Sequence, residues 1–372
     1  MSAVDRAQVL AYRYTAHDLA PGGGRGDTVL ATGLQDYPPG RTAVPALRLR
    51  TGTADPSGPS TVLVHSIRGA MHLHRAADLA RLAAALRVED GRDLPPQAIG
   101  PFGAELAGAG IAFGAALDEV AAAMREAVAG GGSPTKGELS GTVSPRVAAP
   151  LAPWCEGCGV HHVQDKLFRM ATLQAGLVIE VDHDLPSRFR FRAAEPFEPA
   201  DPADARAALV RAFLATSGPS RPAQLASWLA FTPAAARRWW EPVAAELTPV
   251  TVDGAKYWTH ADHQEALKSA PAPDGVRLLP PYDPVTEPAD RELLVPDPAQ
   301  RKQVWRTAAN PGVLLVDGEI SGVWRQRRSR GRLSLRVEPF TRLSARRRRA
   351  AEPDAAAIAD PTGTAGADLA WA

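Results

Sequence analysis

The length, composition and charge of the chain exclude several classes of protein. With 372 residues, 45% of them hydrophobic and 22% charged, it can form several structural units with buried cores. A net charge of +1 argues against a uniformly basic surface, and two cysteines are too few for a secreted disulfide framework. No run approaches the ~20 apolar residues of a membrane span, and the charged start is unlike a signal peptide, so we expect a cytoplasmic protein.

The first ninety residues predict three helices followed by a hairpin. Apolar spacing indicates helices over 5–19 and 27–34 and a third that holds Val44 and Leu47. Two strands at 61–64 and 71–74 come next, and a further helix at 76–88 closes the segment. Three helices and a two-stranded wing are typical of a winged helix-turn-helix, which we place at 5–90.

The same order of elements returns twice. Helices at 117–128, 135–139 and 163–175, with strands at 177–181 and 189–192, predict a second winged-helix unit at 112–195. The third, at 203–265, has the clearest pattern. It contains a helix at 222–229, the capping pair Thr232-Pro233 before a helix that runs to about residue 247, and the hairpin signal Asp253-Gly254.

From residue 276 the pattern changes to short strands. Apolar runs at 276–279, 313–316, 320–324 and 333–337, with a turn at Asp317-Gly318, predict a small β-barrel or curved sheet over 275–345. We expect the tail at 350–372 to be a frayed helix and a disordered end. The predicted fold class is α+β: three tandem winged helix-turn-helix units and a small C-terminal β-barrel-like domain.

Arginines are concentrated near the C-terminus. Between Ile320 and Ala350 there are eleven arginines and one acidic residue, Glu338. Guanidinium groups match phosphate oxygens in a bidentate geometry that lysine lacks. The hairpin therefore supplies candidate DNA contacts, with a solvated basic edge as the alternative: Arg325, Arg327, Arg328 and Arg330.

Three passages resemble one family. They are Gly33-Leu34-Gln35, the run from Ile67 to Leu73 (IRGAMHL), and the run from Leu278 to Asp283 (LLPPYD) with Val316-Asp317-Gly318. In order and spacing the chain resembles the AlkZ/YcaQ-type winged-helix DNA glycosylases over roughly residues 5–345. The resemblance implies a repair enzyme that binds double-stranded DNA and hydrolyses the N-glycosidic bond of alkylated nucleotides, N7-alkylpurines or bulky adducts.

In that family a Gln-x-Gln or Gln-x-Asp motif positions the water that attacks the sugar. Here the passage reads Gln35-Asp36-Tyr37, so the first glutamine matches and the second position is a tyrosine. A tyrosine hydroxyl, with a reference pKa near ~10, is a poor base but can orient water. Asp36 is a candidate for the missing oxygen, although neighbours in an extended segment point to opposite sides. The resemblance makes Gln35, Tyr37 and Asp36 the catalytic candidates.

Three functions remain open from the sequence. The first is a glycosylase, because a cationic alkylpurine leaves easily and the protein need only hold a water and stabilise the sugar cation. The second is a DNA-binding protein without glycosylase activity, which the tyrosine favours. The third is a winged-helix scaffold that binds protein. We expect a monomer that needs no cofactor and contacts no membrane.

Further residues are candidates for DNA contact, each with a structural alternative. Arg41 follows the glutamine motif, and Arg68 lies in the first hairpin beside a glycine. Arg237 and Arg238 lie on the third helix of the third unit, the position of a recognition helix, and Lys256 lies on its wing. The alternatives are an exposed loop arginine for Arg41, an ion pair for Arg68 and solvation for the others.

Two groups of histidines and cysteines have structural interpretations. His65, His72 and His74 near the first hairpin are interpreted as half-buried strand residues. Cys155, Cys158, His161 and His162 have the spacing of half a zinc site, but no second cysteine pair follows. The alternative is a reduced thiol pair beside helix-capping groups, and we predict no bound metal.

Overall fold

Several helices of the structure begin where the sequence supplies a capping side chain. The computed structural model describes residues 2–20, 23–52, 61–182, 188–329, 332–359 and 367–372. Asp5 and Thr135 each form a reciprocal capping box, and the Thr232 side chain accepts from Ala235 N. The α-helices of the described residues are α1 (Arg6–Ala16), α2 (Asp27–Thr32), α3 (Ala43–Thr51), α4 (Leu79–Ala85), α5 (Pro96–Ile99), α6 (Phe102–Gly108), α7 (Phe113–Val128), α8 (Lys136–Val143), α9 (Asp165–Gln174), α10 (Pro202–Ser217), α11 (Pro222–Leu229), α12 (Pro233–Trp240), α13 (Gln264–Ser269), α14 (Arg291–Leu294), α15 (Pro298–Val304), α16 (Ala345–Arg349) and α17 (Glu352–Ala359).

The strands alternate with these helices along the whole chain, so the α+β class is confirmed. In the described part of the chain they are β1 (Ser2–Val4), β2 (Leu34–Gln35), β3 (Thr61–His65), β4 (Met71–Arg75), β5 (Trp154–Cys155), β6 (Val160–His161), β7 (Leu177–Val181), β8 (Phe189–Ala193), β9 (Leu247–Val252), β10 (Ala255–His260), β11 (Val276–Leu279), β12 (Gly312–Val316), β13 (Glu319–Ser329), β14 (Arg332–Pro339) and β15 (Ala367–Trp371).

The chain divides into two compact units. Unit 1 comprises Met1–Gly58, Arg211–Gln224 and Val243–Ala372, and unit 2 comprises Pro59–Val210 and Leu225–Pro242. The division falls inside α10 and α11, so it does not follow the predicted winged-helix boundaries. Those boundaries stay predictions.

Unit 1 contains two sheets. In the first, β1 pairs parallel with β9, and β10 pairs antiparallel with β9 across the Asp253-Gly254 turn. The second has the order β11-β12-β13-β14-β15 and curls into a half-barrel, as predicted for the C-terminal domain. Its inner face packs on α17 and on apolar residues of α1 and α3, and its largest fully buried side chain is Trp324.

Unit 2 is built from helices around four strands in the order β4-β3-β7-β8. The hairpin β3–β4 and the hairpin β7–β8 are both antiparallel, and Leu63 of β3 faces Ile179 of β7. A separate short hairpin, β5–β6, carries the two cysteines. Helices α7 and α9 contribute the largest part of the apolar core, including Leu117 and Phe168.

Two expectations about helix and tail were wrong. The third helix does not stay α-helical to residue 247: α12 ends at Trp240 and a 3-10 turn follows from Glu241 to Glu246, since Pro242 has no N–H for an α-helical bond. The described parts of the C-terminal segment, 352–359 and 367–371, also form regular structure. Helix α17 buries Ile358 in the core of unit 1, and β15 pairs parallel with β14. The alanine-rich composition of this C-terminal segment gave no sign that α17 has an apolar face, which packs against the sheet.

In the part of the chain that the structure describes, no single helix is long and apolar enough to span a bilayer. Helices α6 and α7 reach the required length and apolar composition only when taken together, and they are bent by 99° at the break between them.

Candidate active site

The glutamine motif forms a tight loop between β2 and α3. Asp36 is 4% exposed, and its carboxylate accepts the backbone N–H groups of Gly40, Arg41, Thr42 and Ala43, the last three at 3.0–3.1 Å. These are amides of the loop and of the first turn of α3, which have no partner within the helix. The Asp36 carboxylate therefore holds the loop against the helix and is saturated with backbone donors.

Thr42 closes the same loop. Its Oγ1 donates to the Gln35 carbonyl at 2.8 Å and accepts from Tyr37 N at 2.9 Å. The two residues that flank Asp36 differ from it in exposure: Gln35 is half-buried, and Tyr37 is 55% exposed. The backbone of the motif is thus fixed from both sides of Asp36.

The C-terminal passage from Leu278 to Asp283 packs against this loop. Asp283 forms a bidentate ion pair with Arg50 of α3, at 2.8 and 2.9 Å, and both side chains are fully buried. The Tyr37 ring stands edge-on to Tyr282, with centroids 5.7 Å apart and planes at 87°. Burial, more than the neighbouring Tyr37, raises the pKa of Tyr282, although the backbone amide of Asn310 opposes this.

The arginine hairpin β13–β14 contributes to the site through one face. Residues opposite each other on antiparallel strands share a face, and Arg328 lies opposite the buried Leu333. Trp324 lies four residues before Arg328 on the same face, and its indole N–H donates to Leu279 O at 2.9 Å. Arg325 and Arg327 belong to the other face, where Arg325 lies 3.6 Å from Glu338.

Arg328 also lies near the glutamine loop. Burial is the main cause that lowers the pKa of its guanidinium, and the positive charge of Arg41 is the second. Arg41 directly follows the loop, and its amide is one of the donors to Asp36. Two guanidinium groups that repel each other in a partly desolvated environment favour the binding of an anion between them. Arg41 at the end of the glutamine loop and Arg328 of the arginine hairpin both belong to unit 1. That the loop and the hairpin form one DNA-binding surface stays a prediction.

Comparisons with known proteins show which family the chain belongs to. The family described as AlkZ-like, DNA glycosylase AlkZ-like, matches residues 31–360 of the chain. The chain belongs to the AlkZ-like DNA glycosylase family. This confirms the resemblance drawn from the three short passages.

Individual relatives of the AlkZ-like family agree with this assignment. An interstrand DNA cross-link repair glycosylase of Streptomyces sahachiroi is 30% identical over 130 residues, which are 33% of this chain and 35% of that protein. The match thus spans about a third of the relative's length. The structure of Streptomyces sahachiroi DNA glycosylase AlkZ is similar over 100% of both chains, with a TM-score of 0.74 and 20% identity, which shows a shared fold.

The AlkZ-like passage from Ile67 to Leu73 lies in unit 2 and is a rigid turn. Arg68 adopts a left-handed backbone conformation with φ +60°, Nη1 donates to Trp228 O at 2.8 Å, and its carbonyl accepts from Lys166 Nζ at 2.5 Å. Burial is the main cause that lowers the pKa of Lys166 to about 8. Arg68 is therefore half-buried and engaged in holding its own turn.

The histidines beside this turn are more buried than predicted. His72 and His74 both contact Ser66 Oγ, at 3.0 and 2.9 Å, and His65 contacts Thr172 at 2.9 Å. All three are at most 2% exposed instead of half-buried, because further structure covers the second face of the hairpin. Burial lowers the pKa of His65 to about 3.

The remaining basic candidates of this AlkZ-like chain lie outside the glutamine loop. Arg237 and Arg238 are exposed on α12 in unit 2, where Arg238 pairs with Asp93, while the adjacent tryptophans are both buried. Lys256 lies in unit 1 on β10, with Nζ 5.1 Å from the Trp258 ring. Arg327 is exposed on β13, and Arg330 lies outside the described residues.

Sequence reasoning missed four residues that shape the site: Arg50, Thr42, Tyr282 and Asp283. The last two belong to a passage that carried the resemblance, but nothing in it indicated a partner. Thr42 sits directly before a helix, where a capping residue is common, and this was the one available signal. Of the described Cys, His and acidic residues, Cys155, Cys158 and His162 form a cluster that could hold a metal ion.

Proposed function

We propose that the protein is a DNA repair glycosylase that hydrolyses the N-glycosidic bond of alkylated nucleotides in double-stranded DNA. The observation that carries this proposal is that unit 1 combines three features: the Gln35 loop, the exposed ring of Tyr37, and the guanidinium groups of Arg41 and Arg328, whose charges act on each other. Membership of the AlkZ-like family supports the reaction class. The relative named for interstrand cross-link repair supports bulky alkyl adducts as substrates, beside N7-alkylpurines.

In this proposal Gln35 performs the essential step. An N7-alkylated purine carries positive charge and departs with little help, so the site must hold a water and stabilise the cationic sugar. The amide oxygen of Gln35 is the group that accepts from that water. Asp36 positions the loop, because its oxygens already accept four backbone amides. Tyr37 supplies an aromatic surface for the opened duplex.

Arg41 and Arg328 hold the DNA backbone in this proposal. A phosphate between the two guanidinium groups would relieve their mutual repulsion and form charge-assisted bonds with both. Such contacts position the damaged strand and carry no sequence information. Arg325, Arg327 and Arg330 extend the basic surface along the hairpin, and Arg68, Arg237, Arg238 and Lys256 stay predicted DNA contacts.

We also propose that the fold contains three winged-helix units, at 5–90, 112–195 and 203–265, before the β-domain at 275–345. The order α10, α11, α12 and hairpin β9–β10 supports the third unit, and α7, α8, α9 with β7–β8 support the second. A monomer associated with the nucleoid of the cytoplasm is the form we expect to act on DNA.

A second candidate is a DNA-binding protein that shelters lesions without cleavage. Two observations favour it: Tyr37 stands where a second water-holding group is expected, and the Asp36 carboxylate is saturated by backbone amides.

Base release separates the candidates. The full-length protein is incubated with duplexes that contain N7-methylguanine or only normal bases, and abasic sites are scored by alkaline cleavage. Release of the methylated base alone supports the glycosylase. Tight binding without release supports the lesion-sheltering protein, and the absence of salt-dependent DNA binding would indicate a protein-binding scaffold.

A further inference from the structure

We propose that Cys155, Cys158 and His162 form a binding site for a zinc-class metal ion in unit 2. The potential ligand atoms of these three residues all lie within 4.8 Å of one another. Thiolate and imidazole are the ligand types that zinc selects, at metal–ligand distances of about 2.0–2.3 Å. The site lies outside the Gln35 loop and does not depend on the proposed glycosylase activity.

The hairpin β5–β6 brings the two thiols together. Cys155 ends β5, and the amides of Cys158 and Gly159 turn back to donate to Cys155 O at 3.2 and 2.8 Å. Gly159 has φ +66°, which only glycine adopts at little cost, and it allows the chain to reverse directly after Cys158. This turn places both side chains of the Cys-x-x-Cys segment at the same end of the hairpin.

His162 is oriented as a ligand from the other side. Its Nδ1 lies 2.8 Å from the carbonyl of Val163, to which it donates, so the lone pair is on Nε2. Histidines that bind metals usually fix their second nitrogen by such a bond. The His162 side chain also forms a hydrogen bond with the Cys155 thiol. The contact between nitrogen and sulfur is the one that a shared metal ion would replace.

The ligand set leaves one tetrahedral position for a water molecule. Binding would release the two thiol protons to solvent and create two sulfur–metal bonds and one nitrogen–metal bond, with no change of oxidation state. The sequence alone argued against a metal because no second cysteine pair exists. The structure supplies three ligands without a second pair, since the tight turn lets Cys155, Cys158 and His162 converge within eight residues.

The ion would stabilise the start of α9. Gln164 caps this helix by accepting from Leu167 N at 2.9 Å, only two residues after His162. Within the first turn of the helix, Lys166 donates to the carbonyl of Arg68. A metal at the hairpin would therefore anchor the helix that supports the Arg68 turn.

Metal content of the full-length protein tests this site. Protein purified without chelator is analysed for bound metal, and the zinc is then replaced by cobalt. We expect one equivalent of zinc per chain and, with cobalt, a thiolate-to-metal charge-transfer absorption. Cys158→Ser and His162→Ala should lose both signals. The matched control is His161→Ala, because His161 contacts Ala152 O instead and its ring packs on Trp154.

Other results would overturn the site. The first is purified protein that contains no stoichiometric metal and gives no cobalt absorption. The second is an equal loss of metal in His161→Ala and His162→Ala. The third is a disulfide between Cys155 and Cys158 in protein prepared without oxidant. Circular dichroism of each variant checks that the fold is retained. We expect the fold to be retained because the hairpin β5–β6 is exposed.

Discussion

Tyr37 and Tyr282 meet edge to face, although 244 residues separate them along the chain, with ring centroids 5.7 Å apart. The residue after Tyr282 is Asp283, whose carboxylate forms an ion pair with Arg50 of α3. The same helix begins at the loop that carries Gln35. The exposed ring of Tyr37 therefore packs against the C-terminal passage, which the buried Arg50–Asp283 pair joins to α3.

We predict that the ring of Tyr37, more than its hydroxyl, contributes to DNA binding. Stacking of a base on an aromatic side chain is worth about 1–3 kcal/mol. Tyr37→Ala should weaken binding to N7-methylguanine duplex by that amount, measured by fluorescence anisotropy, whereas Tyr37→Phe should bind like the unaltered protein. A Phe variant as weak as the Ala variant would assign the effect to the hydroxyl.

Arg41 and Arg328 should each contact one phosphate. Each contact removed lowers the slope of log affinity against log salt by about 0.9. We expect this change in Arg41→Met and in Arg328→Met, which keep the length of the side chain. Arg87→Met is the control, because Arg87 is paired with Glu89 and Asp118, both at 2.6 Å, and is not among the proposed DNA contacts. Equal slopes in all four proteins would refute a phosphate site at this pair.

The buried pair Arg50–Asp283 should contribute strongly to stability. Removing one partner of a fully buried ion pair leaves a desolvated charge and costs about 3–5 kcal/mol. Asp283→Asn should therefore lower the free energy of unfolding by that order, measured in urea. Asp368→Asn breaks the ion pair of Asp368 with Arg332, in which the Arg332 and Asp368 side chains are 63% and 59% exposed, and should change the free energy of unfolding far less because water screens the pair. Similar losses in both variants would contradict the assigned roles.

Two buried histidines should make the fold sensitive to acid. Burial lowers the pKa of His17 to about 4 and that of His65 to about 3. Between pH 6.5 and these values the unfolded chain binds protons that the folded chain does not, so stability falls as the pH falls. Each histidine should contribute about 1.4 kcal/mol per pH unit within this window.

Urea unfolding at several pH values measures this slope. His65→Asn should give a dependence shallower by about one proton. An unaltered slope in His65→Asn would show that this histidine does not titrate on unfolding in the range tested.

Much of the local structure was predictable because it depends on neighbouring residues. Asp253-Gly254 fixed a hairpin, Thr232-Pro233 fixed the start of α12, and the apolar run at 177–181 became β7. Each signal acts within a few residues and needs no partner elsewhere. The predicted curved sheet followed from the same kind of pattern.

The site required information that no local pattern contains. The side of the hairpin that faces the glutamine loop depends on the register between β13 and β14, and a shift of one residue would have exposed Arg328 and turned Arg327 inward. The pairing of Arg50 with Asp283 joins segments 233 residues apart. The parallel strand β15 was missed for a similar reason, since its partner lies far from it in the sequence and its composition is typical of a tail.

The single-turnover rate of N7-methylguanine release by Gln35→Ala tests the central claim most directly. With enzyme in excess over duplex, loss of the group that positions the water should lower this rate by about 100-fold or more. DNA affinity should stay unchanged, because the phosphate contacts are intact. A variant that releases the base as fast as the unaltered protein would contradict the role of Gln35 and, with it, the proposed mechanism.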